Sequence, residues 1–144
     1  MEKFSCTHKA QYYETDQMGI VHHSNYIRWF EEARTELLRH IGYPYKRMEE
    51  EGIICPVLSV ECQYRSMVHF EDVVLIEPVV EKFNGIKLFL KYEIYDSETG
   101  ELRTTGKSVH CFLNEQGQPV SLKKTKPDLY DTLIQAMEAG KSEA

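Results

Sequence analysis

One short run, Thr15 to Ser24, holds an aspartate, a glycine and two adjacent histidines just ahead of the longest helix-like pattern in the chain. A carboxylate a few residues upstream of a helix start can do chemistry. The first turn of a helix carries N–H groups without internal acceptors and a partial positive charge, and both suit a developing oxyanion. Asp16 could then attack an electrophilic carbonyl itself, or take a proton from a water that does. Read alone, Asp16 is a loop residue accepting a backbone hydrogen bond, as in an Asx turn. With Gly19, His23 and the helix start in the same frame, catalysis becomes the better reading.

The neighbours of Asp16 carry rival readings of their own. Gly19 marks a special backbone geometry or a close substrate approach, or else a plain turn. His22 and His23 could join Asp16 as metal ligands. Adjacent residues in an extended turn point apart, however, and no third or fourth ligand follows at a useful spacing, so no metal is expected. His23 is assigned to the site with His22 outward, and the reverse assignment is the alternative. Asn25 reads as a helix cap. Tyr26, Trp29 and Phe30 lie on an apolar stripe and read first as core.

The helix that positions these groups is legible from its period. From Tyr26, residues Trp29, Phe30, Ala33, Leu37 and Ile41 follow at spacings of three or four, with Arg28, Glu31, Glu32, Thr35 and Arg39 opposite. Ser24 is the expected cap, and Gly42 with Pro44 the stop. Upstream, residues 4 to 13 alternate as a half-buried strand, with Phe4, Cys6, His8, Ala10 and Tyr12 on one face. Residues 45 to 51 predict one or two helical turns ending at Gly52.

From Pro56 the pattern becomes one of strands. Leu58, Val60, Cys62 and Tyr64 alternate with polar residues. Val73 to Val80 is almost continuously apolar, as in a strand covered on both faces, and Pro78 asks for a bulge or an edge. Asn84-Gly85 signals a tight hairpin into a strand with Ile86, Leu88, Leu90, Tyr92 and Ile94 on one face. Asp96 to Gly100 turns the chain into a strand from about Leu102 to Leu113, where Gly106 marks a bulge or the close passage of another backbone or a ligand. Pro127 opens a last short helix carrying Leu129, Leu133, Ala136 and Met137, with residues 140–144 frayed.

These elements predict an α+β fold in a single domain spanning residues 1–144. An antiparallel sheet of about five strands wraps one long central helix, and a small C-terminal helix follows. The sheet's second face is expected to be covered by a partner subunit or another layer.

Composition narrows the function classes. A chain of 144 residues buries a core without metal or disulfide staples, and a net charge of −6 argues against a nucleic-acid partner. The cluster Lys123, Lys124 and Lys126 reads as solvated surface. The four cysteines have no metal-type spacing and no nucleophile arrangement, and Cys6, Cys62 and Cys111 sit in strand patterns as small buried hydrophobes. There is no apolar signal core and no membrane-spanning run, so a reduced, cytoplasmic protein is expected.

The run Asp16-Gln-Met-Gly19-Ile-Val21-His-His23-Ser-Asn25-Tyr26, with the aromatic and acidic helix after it, resembles the 4-hydroxybenzoyl-CoA thioesterase family of hot-dog fold proteins. Within that family it is most similar to the bacterial short acyl-CoA thioester hydrolases. The resemblance extends over nearly the whole chain. It implies hydrolysis of an acyl-CoA thioester to a carboxylic acid and free CoA, with no cofactor. Asp16 stands at the family's catalytic carboxylate. His23 stands at the helix entrance, where a backbone N–H faces the thioester carbonyl. Met18, where some relatives carry a smaller residue, departs from the pattern in a way that narrows the acyl pocket.

The resemblance further implies a homodimer or homotetramer with the active site at the dimer interface. Gly19, Val21 and Tyr26 fall beside the substrate, and Tyr26 borders the acyl tunnel. No phosphate-binding glycine motif is present, so ordinary cations must meet the CoA phosphates. Arg65 is the first candidate, with Lys87, Arg103, Lys107 and Lys123 behind it. The rival function is an acyl-CoA-binding hot-dog module that senses or scaffolds without turnover. A hot-dog dehydratase acting on acyl carrier protein is weaker, since its histidine and acidic residue on separate segments are not placed.

Overall fold

In the computed structural model, which describes residues 4–142, the element order is one strand, two helices, four strands and two helices. They are β1 (Cys6–Lys9), α1 (Ser24–His40), α2 (Tyr45–Glu50), β2 (Val57–Tyr64), β3 (Val73–Phe83), β4 (Lys87–Asp96), β5 (Leu102–Cys111), α3 (Leu122–Thr125) and α4 (Pro127–Ser142). The strands form one antiparallel sheet in the order β1-β3-β4-β5-β2, and α1 packs across one face. This is the hot-dog arrangement that the resemblance implies.

Alternation along the strands builds the core. Val74, Ile76, Leu88, Leu90, Tyr92 and Ile94 are buried and meet Trp29, Phe30, Ala33 and Leu37 of α1. The closest approach is at Gly106 of β5. A Cβ there would lie 2.4 Å from the Phe30 ring, which stacks on Tyr92 with centroids 4.4 Å apart. The missing side chain makes room for an aromatic ring, and no register shift falls at that residue.

The helix stop is a Schellman motif: Tyr43 N–H donates to Leu38 C=O and Gly42 N–H to Arg39 C=O, with Gly42 at φ +92°. At the other end of the helix stripe, Ser24 is not the cap. His23 takes that position and Ser24 is the first helical residue. The Ser24 hydroxyl is drawn to His22 Nδ1 at 2.9 Å, and the same nitrogen faces the Ser24 N–H at 3.3 Å. An imidazole thus does the work a serine side chain would do.

Two other boundaries differ from the sequence pattern. The first strand stops at Lys9, and residues Tyr12–Glu14 form a 3-10 turn that leaves Tyr12 exposed. The last helix is not short but 16 residues long, and runs through Gly140 and Lys141; the expected fraying of 143–144 lies outside the described residues. It packs beside β3 where β1 has already ended, with Gly140 against Val79 and the Val80 carbonyl. That supplies, along one edge, the second cover that Val73 to Val80 asks for. Pro78 sits in this stretch past Cys6, where the missing N–H costs no β1 partner. The strand's bulge lies further on, between Val80 and Lys82.

Candidate active site

The loop ahead of α1 is a small closed hairpin. Thr15 pairs with Val21, Asp16 N–H donates to Ile20 C=O at 2.9 Å, and Gly19 N–H donates to Asp16 C=O at 3.0 Å. Gly19 adopts φ +77°, and a Cβ there would meet nothing within 4 Å. It serves backbone geometry, with no crowding at the position. The loop docks on 68–70 through Val21 N–H to Val68 C=O at 2.8 Å and the pairing of Ile20 with His69.

Beneath the loop lies Glu14, which sequence reasoning missed. Its side chain is buried and accepts from Gln11 N–H and Trp29 Nε1–H at 2.8 Å each, with His8 Nε2 also at 2.8 Å. Its carbonyl accepts from His22 N–H at 2.8 Å and Asn25 Nδ2 at 2.9 Å. Asn25 therefore anchors the loop from a buried position instead of capping the helix. Burial pushes the Glu14 carboxyl up, but the bonds from His8, Gln11 and Trp29 together hold it below the usual range. No sequence period marks Glu14: the alternation that starts at Phe4 breaks before it, where Tyr12 is exposed and 12–14 form the 3-10 turn.

Asp16 is half-buried, and its Oδ1 accepts the Met18 N–H at 2.8 Å. That is the Asx turn of the structural reading. It leaves Oδ2 without a donor among the described residues. His22 and His23 are both exposed, with ring centroids 4.1 Å apart. The His23 carbonyl accepts from Tyr64 Oη at 3.1 Å and from Tyr26 N–H at 3.4 Å, whereas the His23 N–H has no acceptor among the described residues. No hydrogen bond joins His23 to Asp16 among these residues.

A cavity of about 280 Å³ brings the predicted residues together. Asp16, Val21, His23, Tyr26 and Arg65 all line it, with His22 and Tyr64 beside them; Gly19 does not. Tyr64 was read only as a strand residue. The register of β2 on β5 brings its ring to 5.0 Å from Tyr26, edge to face. Burial is the main reason that the Tyr64 phenol is pushed up to about 12 and that of Tyr26 upward as well, so both stay neutral hydroxyls.

The candidate cations separate clearly. Arg65 lines the cavity, and its side chain pairs with no described residue. Arg103 is committed elsewhere: Asp96 at 3.4 Å, Glu101 at 2.6 Å and the Met67 carbonyl at 3.1 Å hold it as a brace for the 66–72 segment. Lys107 faces Glu81 at 3.7 Å, and neither Lys87 nor Lys123 reaches the cavity. The thiols are unsuited to nucleophilic work, since burial pushes Cys6 up to about 11 and Cys55 up to about 12. Among the described residues no three His, Cys, Asp or Glu side chains are grouped to hold a metal ion.

Residues 11–133 match the family model described as the thioesterase-like superfamily. The chain belongs to that superfamily. Among its relatives is YneP of Bacillus subtilis (strain 168), named as an acyl-CoA thioesterase, 36% identical over 83% of this chain and 87% of its own. The acyl-CoA thioester hydrolase YbgC of Escherichia coli O157:H7 is 26% identical over 81% of this chain and 87% of its own. Among solved structures, a DHNA-CoA thioesterase from Staphylococcus aureus superposes with a TM-score of 0.90 at 32% identity, covering 97% of this chain and 94% of that one. This thioesterase-like chain has no helix among its described residues long and apolar enough to cross a membrane.

Proposed function

We infer that this protein is an acyl-CoA thioesterase, hydrolysing an acyl-CoA to a carboxylic acid and free CoA. The superfamily match and the names of YneP and YbgC support the activity. The observation that carries the site assignment is the pairing of a free Asp16 oxygen with an unsatisfied His23 N–H at the start of α1, both on one cavity.

The chemistry follows from that pairing. A thioester carbonyl is strongly electrophilic and its thiolate leaves readily, so one carboxylate and one oxyanion donor suffice. Asp16 either attacks the carbonyl to give a mixed anhydride that water then opens, or deprotonates the water that attacks directly. In both routes oxygen bonds to the acyl carbon, the C–S bond breaks, and the thiolate leaves as CoA thiol after gaining a proton. The His23 N–H and the dipole of α1 stabilise the tetrahedral oxyanion, a contribution of about 3 kcal/mol for one such donor. Val21 and Tyr26 border the acyl group, Gly19 shapes the loop, and Arg65 meets a CoA phosphate.

The reading places the reaction in the cytoplasm, in one thioesterase domain that assembles as a homodimer or homotetramer with the site at the dimer interface. Strand β2 supports the interface. Among the described residues it pairs with β5 alone; Val60 remains 39% exposed, and Tyr64, which lines the cavity, 48%.

The Asx-turn bond of Asp16 is the observation that favours the rival, an acyl-CoA-binding module without turnover. Thiol release from short-chain, long-chain and aromatic acyl-CoAs separates the two. Wild type is expected to turn over part of the panel, and Asp16→Asn to lose at least about a hundredfold, roughly 2.7 kcal/mol. Binding of acyl-CoA without thiol release by wild type and variant alike would replace the enzyme by the binding module.

A further inference from the structure

The loop that holds Asp16 and the helix entrance that holds His23 are joined at one residue. Glu14 lies two residues before Asp16, and its carbonyl receives His22 N–H, one residue before His23. With the Thr15–Val21 pair above it, this bond is the base of the hairpin. Glu14 therefore sets how far each arm extends toward the cavity. It also decides which N–H remains free, because His22 N–H is consumed and His23 N–H is the next donor on the arm.

A backbone carbonyl fixes such a register only if its own residue is fixed. The Glu14 side chain reaches three separate pieces of chain: Nε2 of His8 on β1, the Gln11 N–H before the 3-10 turn, and Nε1 of Trp29 on α1. The His8 ring is in turn tilted against Trp29, with centroids 4.7 Å apart, and lies 3.4 Å from Glu32. A buried carboxylate is stable there because donors converge on it from several sides.

We propose that Glu14 is a positioning residue, whose three side-chain hydrogen bonds lock the register between the Asp16 arm and the His23 arm so that turnover depends on them. The proposal rests on the thioesterase reading for its kinetic consequence, but not for its structural one. Near-attack geometry tolerates little error, and misplacement by about 1 Å can cost a hundredfold. The loss should fall on kcat, since Glu14 does not line the cavity and touches no part of the substrate path.

The experiment compares Glu14→Ala and Glu14→Gln with Leu133→Ala, a fully buried control on α4 remote from the loop. Glutamine keeps the shape but must oppose an N–H donor with its own NH₂, so it serves where alanine does not fold. The Glu14 variants are expected to lose about thirtyfold (Ala) and about tenfold (Gln) in kcat with KM held within about threefold. Leu133→Ala loses stability and keeps kcat. In parallel, amide exchange at His22 should accelerate in the Glu14 variants and not in the control, and the indole N–H resonance of Trp29, the only tryptophan, should shift.

A folded Glu14→Gln with kcat within about twofold of wild type overturns the proposal, as does a kcat loss that Leu133→Ala reproduces. If wild type releases no thiol, the thioesterase reading fails and His22 exchange still decides the lock. Faster exchange in Glu14→Gln than in the control upholds it, and equal rates sink it.

Discussion

Two buried polar clusters lie against α1, and they solve the same problem in opposite ways. Under the loop, Glu14 keeps its charge because Gln11, Trp29 and His8 all turn nitrogen atoms toward it. In the sheet, Tyr92 Oη, Ser108 Oγ and His110 Nε2 form a chain at 2.7 and 2.8 Å, with Arg34 nearby. Desolvation, followed by the Arg34 charge, pushes His110 down to about 4 and keeps it neutral. Burial alone does not set the charge of a buried group. Hydrogen bonds to the charged form decide it at Glu14, and desolvation beside a cation decides it at His110.

The contrast also divides labour. The Glu14 cluster touches the loop that holds the candidate chemistry, while the His110 cluster touches only packing. The largest expected effect outside the site tests that division. In Gly106→Ala the new methyl overlaps the Phe30 ring, which is stacked on Tyr92 at the head of the second cluster, and the Glu61 carbonyl at 3.0 Å closes the other side. Overpacking of this kind costs up to about 3 kcal/mol. Denaturant unfolding should show that loss, with kcat per folded molecule near wild type. A kcat collapse at unchanged stability would mean that the two regions are not separate.

Acid sharpens the comparison with a somewhat smaller effect. His110 has a folded pKa of about 4 against 6.5 for the free side chain, so between those values the unfolded chain binds more protons than the folded one. Stability from this group is therefore intact above pH 6.5, falls as pH drops through the window, and has no further to fall below about 4. The loss is on the order of 2 kcal/mol. Glu14 has the same sign but a lower window, since its depressed carboxyl gives up stability only as pH falls below the ordinary carboxylate range near 4.5. Unfolding midpoints of wild type and His110→Gln, measured from pH 7 to 4, should converge as the pH falls. Parallel curves would show that His110 is not held neutral.

The sequence carried much of this, unevenly. Helical period placed α1, and alternation placed the inward faces of β3 and β4, because burial repeats with the backbone. Asp16, Val21, His23 and Tyr26 were grouped through a motif, Arg65 was one of five candidate cations, and it lines one cavity with those four. What was hidden depended on contacts between distant segments. Tyr64 reaches the site only through the register of β2 on β5, Arg103 was spent on Asp96 and Glu101, and Ser24 yielded the cap position to His23 while the His22 imidazole faces its N–H. Glu14 was hidden by its type: an acid in a polar stretch reads as surface until three donors are found around it.

The arginines of the two regions give the smallest and most selective test. Arg34 is 6% exposed, pairs with Glu31 at 2.9 Å and gives a second bond to the Cys55 carbonyl at 3.3 Å. It belongs to the packing. Arg65 is exposed and unpaired among the described residues, on the rim of the cavity, so its field is available to an anionic ligand. An exposed cation on a phosphate binds ground state and transition state alike, and salt screens it. Arg65→Ala should therefore raise KM by about fivefold, near 1 kcal/mol, at unchanged kcat and stability. The KM difference from wild type should shrink as ionic strength rises. A fall in kcat at constant KM would move Arg65 from holding CoA to stabilising the transition state, which places its guanidinium beside the reacting carbonyl and not beside a phosphate.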